Sequence, residues 1–243
     1  MLAIFKKEIR SFFTAPIGYL ILGLFLILNA LFLWVFKGVF NIFEYGFADL
    51  SNFFLLAPWV FLFLIPAISM KSFSEEQKLG TLELLLIKPT TIFKIVLGKF
   101  SGVFVLCILA VIPTIIYVYS ISNLGLVEAN YDLGVVLGSY FGLLFLIAMY
   151  ASIGVFASSL SDNQILSFIL AIAISFGIFY GLEALATLIS DGAMQQLLQS
   201  FGAKNHFETI ARGIIDTRDI IYFISLTFFF LYLTTIRLKK LSR

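Results

Sequence analysis

The chain has 243 residues, of which 61% are hydrophobic and only 12% charged, and its mean hydropathy is +1.06. A soluble domain carries about 25% charged residues, and 29 phenylalanines would leave apolar patches far beyond what water tolerates, so the solvent of this chain is a bilayer. A formal net charge of +2, clustered between apolar runs, excludes a nucleic-acid groove, while the single cysteine (Cys107) and single histidine (His206) exclude a disulfide framework and a Cys/His zinc site.

The opening residues, MLAIFKKEIR, lack a short apolar core followed by a cleavage site and are read as mature sequence. Leu2, Phe5, Ile9, Phe12 and Phe13 recur at helical spacing with Lys6, Lys7 and Arg10 on the other side. This pattern predicts an interfacial helix over residues 2–15 lying on anionic lipid, with a frayed basic tail as the alternative. Pro16 ends it.

A membrane crossing needs about 20 mainly apolar residues. Six runs qualify, at about 17–36, 53–69, 100–119, 135–160, 165–189 and 220–236. Ser161, Asp162, Asn163 and Gln164 are read as a tight turn between two antiparallel spans. The predicted fold class is an all-α integral membrane protein, one domain over residues 1–243. An even number of crossings puts both termini on one side. Twelve of the 16 basic residues fall on that side; Lys37, Lys204, Arg212 and Arg218 fall on the other. Both termini are therefore expected to be cytoplasmic.

Between spans two and three, residues 71–90 hold unusual order for a loop. Ser74 followed by Gln77 reads as a capping box, with Glu75 and Glu76 in the first helical turn where the dipole favours acids. Gly80 is placed to end that helix, and Thr81 to cap a second one that carries Glu83 and stops at Pro89. A solvated charge run is the alternative.

Glycines four apart, which let helix backbones approach in lipid, occur at Gly98 and Gly102, at Gly134, Gly138 and Gly142, and at Gly177 and Gly181. The triple is expected to face another helix, within the bundle or across a subunit pair. Asn29 is read as a helix-to-helix hydrogen bond. Glu183 is read as a structural acid reaching headgroups or water, against the alternative of a proton carrier. Beyond span five, Met194, Leu197, Leu198 and Phe201, then Phe207, Ile210, Ala211 and Ile214, repeat with helical period. They predict two outer amphipathic helices over residues 191–216, forming a lid or re-entrant hairpin, with His206 as a structural polar residue at the hinge.

Gly98 and Lys99 form the only Gly-Lys pair, but Phe100 follows and Phe93 stands where a P-loop needs glycine. No Gly-x-Ser-x-Gly and no His-Glu-x-x-His occurs. Catalytic, cofactor and metal residues are expected to be none.

Residues 74–89, Ser-Glu-Glu-Gln-Lys-Leu-Gly-Thr-Leu-Glu-Leu-Leu-Leu-Ile-Lys-Pro, lie between spans two and three of a six-span chain with a basic N-terminus. In this they resemble the permease subunits of ABC-2 type ABC transporters. With His206, Phe207 and the stretch Arg212 to Asp219, the chain looks most like the gliding-motility-associated permease of Bacteroidetes (the Gld F type), and less closely like the permease of nitrous oxide reductase maturation. The resemblance implies a bacterial inner-membrane protein paired with a second permease subunit and, in the gliding group, a further membrane subunit. It also implies cytoplasmic ATPase subunits holding ATP and Mg. These would dock on Phe73, Ser74, Glu75, Glu76, Gln77, Gly80, Thr81 and Glu83. A membrane scaffold that moves no solute is the alternative function.

Overall fold

The computed structural model describes residues 1–47, 49–87, 89–124, 131–189 and 191–241, and among them every regular element is helical. The chain runs through α1 (Leu2–Thr14), α2 (Pro16–Ala30) with a π-turn at Leu31–Val35, the short α3 (Ile42–Tyr45) and α4 (Ser51–Ser69). Then come α5 (Lys71–Lys78), α6 (Leu82–Leu86), α7 (Ile92–Val111), a 3-10 turn at Ile112–Thr114 and α8 (Ile115–Leu124). α9 (Leu133–Leu160) and α10 (Gln164–Phe176) follow, a π-turn at Gly177–Gly181 leads into α11 (Leu182–Thr187), and α12 (Gly192–Phe201), α13 (Ala203–Ala211) and α14 (Thr217–Leu241) complete it.

Among the described residues six helical stretches are long and apolar enough to cross a membrane: Gly18–Val35, Ser51–Lys78, Ile92–Leu124, Leu133–Leu160, Gln164–Thr187 and Thr217–Leu241. Local chemistry sets their ends. Pro16 takes the first helical position of α2, where its missing N–H costs nothing, and Ala15 before it is extended. Asp132 caps α9 by accepting from the N–H groups of Gly134 (2.8 Å) and Val135 (3.2 Å). Asn163 does the same for α10 through Ile165 N–H at 2.9 Å, which makes residues 161–163 the tight turn. The third span starts at Ile92, well before the apolar run, because the helix carries Lys94 and Lys99 within it. It kinks into a 3-10 turn at Pro113, which has no N–H to donate.

α9 is the axis of the bundle, packed by α4, α7, α10, α13 and α14. Of its span 72% is buried, against 22% for the first and fifth, which therefore leave most of their surface outside the bundle. Gly154 lets α4 reach it: a Cβ there would collide with the Ser69 side chain. Gly138 and Gly142 accept α13, since a Cβ would stand 3.2 Å from the Ile210 carbonyl oxygen and 2.9 Å from Ile210 Cγ2 respectively. The partner of this face is thus an amphipathic helix of the same chain. Gly134 faces only its own cap, Asp132. In the π-turn, a Cβ on Gly177 would meet nothing within 4 Å and one on Gly181 only the Phe176 carbonyl oxygen at 3.7 Å, so neither glycine of this pair makes a close helix approach. The helix-to-helix reading of Asn29 is corrected: its amide donates 2.8 Å to Phe25 O in its own helix, and among the described residues it bridges to no other.

Replacing Gly138 by leucine should push α13 off α9. A Cβ is already 3.3 Å from Gly213 Cα, and backbone cannot yield as a side-chain tip does. The expected loss is about 1–3 kcal/mol, read as a lowered melting temperature in detergent, whereas Gly177→Ala should melt like wild type.

Candidate functional site

At the end of the bundle that holds both termini, one lysine joins three elements. Lys99, on α7, is 1% exposed. A charge so deep is tolerated only when it is paired and hydrogen-bonded. Its Nζ donates to Glu8 Oε1 of α1 at 2.9 Å and to the Ser72 carbonyl of α5, and lies 3.1 Å from Glu76 Oε2. It also sits 4.9 Å from the centre of the buried Phe73 ring, a cation–π contact. Lys7 Nζ completes the set at 2.9 Å from Glu76 Oε1. Two lysines and two glutamates make a neutral lock of α1, α5 and α7. The hydrogen bond to Glu76 raises the pKa of Lys7 above its ordinary 10.5, outweighing its partial desolvation. While Glu76 is ionised, that contact stabilises the fold fully below the ordinary lysine value, and the stabilisation is lost as the pH rises through the raised pKa of Lys7.

Glycine makes the lock possible. A Cβ on Gly98 would stand 3.1 Å from Ile4, and one on Gly102 only 2.7 Å from Glu8 Cβ, so the bare backbone of α7 lets α1 lie flat and delivers Glu8 to Lys99. α1 is therefore docked on the bundle as well as amphipathic, and Glu8, alone among its charges, faces inward to Lys99.

The segment from Lys71 to Ile87 departs from the sequence reading in three ways. α4 runs into α5 through a helical Met70, whose N–H reaches Pro66 O at 2.9 Å, so no new helix starts at Ser74. The capping box is absent: the Ser74 hydroxyl donates back to Met70 O, and Glu75 and Glu76 lie past the first turn. Gly80, with φ +67°, does end α5, through Gly80 N–H to Gln77 O (3.1 Å) and Thr81 N–H to Glu76 O (2.9 Å). Thr81 caps nothing; its hydroxyl also points back to Glu76 O.

Of the residues expected to dock an ATPase, Phe73, Ser74 and Glu76 are buried. Gln77 is half-buried and donates to the carbonyls of Ser159 (3.2 Å) and Ser158 (3.4 Å), tying α5 to the last turn of α9. Glu75, Gly80, Thr81 and Glu83 are exposed, together with Lys78, Leu79, Leu84 and Ile87. The segment is a platform with a charged and apolar outer face and an inner face bound to α1, α7 and α9.

The opposite end has a lock of its own. His206 on α13 is 2.6 Å from Asp219 Oδ1 at the start of α14 and 2.8 Å from Ser200 O at the end of α12, and it stacks on Tyr222 with centroids 4.1 Å apart. The partner acid, Asp219, lies 13 residues away in the sequence, where nothing singles it out beside His206. Glu183 is no free acid either, since Lys204 Nζ lies 2.9 Å from its Oε1 and 3.6 Å from Glu208 Oε1. Burial works against the charge on Lys204, but its hydrogen bond to Glu183 and the charges of both acids together hold its pKa above the ordinary lysine value. α13 is further held to α9 by Ser139, whose hydroxyl donates 2.8 Å to Ala211 O. α12 buries none of its residues. Among the described residues no group of acids, histidines and cysteines is arranged to hold a metal ion.

These features define a polytopic helical membrane protein with a locked helical platform at one end and a pinned helical cover at the other. Residues 2–236, nearly the whole chain, match the family model described as ABC-2 family transporter protein, and the chain belongs to that family. Members of this family are membrane components of ABC transporters without ATPase activity of their own. No curated protein matches the chain.

Proposed function

We propose that this chain is a permease subunit that couples ATP hydrolysis by separate ATPase subunits to the movement of a substrate, with both termini in the cytoplasm of a bacterial cell and residues 71–90 as the docking segment. The observation that carries the reading is the platform itself. Its outer face offers Glu75, Lys78 and Glu83 to a partner, and its inner face is fixed to α1, α7 and α9. A push on the outer face would reach three elements at once, which is what force transmission from a motor subunit needs. Orientation rests on the twelve basic residues gathered at this end. Pairing with a second permease subunit and a role in gliding motility rest on the likeness of residues 74–89 and 206–219 to the gliding-associated group.

The test reverses the exposed acids and leaves the buried one alone, since Glu76 is committed to Lys7 and Lys99. Glu75→Lys/Glu83→Lys should keep the melting temperature of wild type. It should reduce co-purification of an ATPase subunit, and permease-stimulated hydrolysis, by about tenfold, because favourable pairs across the interface become like-charge contacts. Unchanged binding and stimulation would show that docking lies elsewhere. A wild-type chain that retains no ATPase subunit would favour the scaffold.

A further inference from the structure

Between α1, the α4–α5 junction and α7 lies a cleft of about 600 Å³, lined by the four residues of the lock and by further groups that the lock leaves over. Its walls are graded. Ile68, Val103, Leu106 and Phe12 line one part, Lys71 and Glu75 another. Leu106 stands seven residues beyond Lys99 on α7, about 10 Å deeper at 1.5 Å per residue, so the apolar wall points toward the bilayer interior and the charged wall toward the surface. This is the polarity of an amphiphile set along the membrane normal.

The charges narrow the choice. Lys7, Glu8, Glu76 and Lys99 satisfy one another. Lys71 and Glu75 remain, and among the described residues neither takes an ion-pair partner; Glu75 only acts on Lys7 through space. They stand four apart on α5, which places their Cβ atoms about 5–6 Å from each other. One cation and one anion at that separation complement a phosphodiester and a primary ammonium joined by a short linker. An anionic lipid without an amine would satisfy Lys71 and be repelled by Glu75. A quaternary ammonium has no N–H to give Glu75.

We propose that this cleft is a binding site for a zwitterionic aminophospholipid, with the phosphate on Lys71, the ammonium on Glu75, and the start of an acyl chain along Ile68, Val103 and Leu106. The proposal needs only the membrane-embedded chain, and because Glu75 also figures in the proposed docking face, lipid binding is read with no ATPase present. The experiment therefore uses the full chain without any ATPase subunit, purified in detergent and offered phosphatidylethanolamine, phosphatidylglycerol or phosphatidylcholine of identical chains, with retained lipid weighed by native mass spectrometry. Wild type should hold the ethanolamine lipid about tenfold more tightly than either other lipid. Lys71→Ala should abolish that preference. Glu75→Lys, a change at an exposed side chain, should shift it to the glycerol lipid. Equal retention of the three lipids by wild type would overturn the proposal, as would an unchanged preference in Glu75→Lys. So would ethanolamine-lipid binding that survives Val103→Trp, which fills the cleft, in a variant that still melts cooperatively.

Discussion

Replacing Lys99 by methionine should destabilise the protein by about 3–5 kcal/mol, the cost of removing one partner from a buried charge cluster. Methionine keeps the apolar stem of the lysine, so packing against Phe73 is largely retained and the loss is electrostatic. Glu8 and Glu76 would then face each other without the ammonium between them, and the Ser72 carbonyl would lose its donor. Lys7 pairs directly with Glu76 and acts on Glu8 only through space, from a largely exposed position. Thermal unfolding in detergent should fall by about 10 °C, and limited proteolysis should cut between α1 and α2 once α1 lifts off Gly98 and Gly102. Glu76→Gln should cost less, since Lys99 keeps Glu8 and Ser72. The triple change Glu8→Leu/Glu76→Leu/Lys99→Met should recover most of the loss, because a buried charge set replaced whole by apolar groups is often neutral in stability. A Lys99→Met variant that melts like wild type would mean that the lock contributes nothing to holding α1.

Lys99 also marks where the sequence stops being informative. Hydropathy reads crossings well because any unpaired polar backbone or charge in hydrocarbon is costly, and six spans follow from six apolar runs. The same measure places Lys99 outside the third span, among residues that merely mark a side of the membrane. Its partners come from positions 8 and 76, a pairing that only the tertiary fold creates. One signal was available: Lys99 lies beside Gly98 in a pair four apart with Gly102, so a lysine sits where a helix approaches closely. Spacing alone would not have sufficed, since Gly177 and Gly181 share it without bringing another helix into close approach. The capping box fails for a related reason. Ser-x-x-Gln starts a helix when the preceding residue is not helical, but Met70 is helical, so Ser74 sits in mid-helix and its hydroxyl turns back to a carbonyl. Gly80 was legible because a positive φ at a helix end is a property of one residue.

At the other end, His206→Ala should cost about 3 kcal/mol, mostly through what it leaves behind. The Asp219 carboxylate is 8% exposed, and among the described residues its Oδ2 has no hydrogen-bond partner, so His206 supplies the one side-chain contact that makes burial of this acid tolerable. With a carbonyl at one ring nitrogen and a carboxylate at the other, both ring nitrogens are engaged, and alanine removes both contacts. It also removes the plate on which Tyr222 stacks, though the Tyr222 hydroxyl keeps its own 2.7 Å bond to Phe201 O. The cover made by α12 and α13 then keeps that bond and the packing of α13 on α14, with Gly138, Gly142 and Ser139 still holding α13 to α9. The decisive measurement is a double-mutant cycle. If the pair acts as a unit, Asp219→Ala should cost less than His206→Ala, and the double variant should be no worse than His206→Ala alone, giving a coupling of at least about 1 kcal/mol. Asp219→Asn, which keeps an acceptor without the charge, should fall between wild type and Asp219→Ala. Additive losses from the two alanine variants would show that the 2.6 Å contact is not what holds the cover in place.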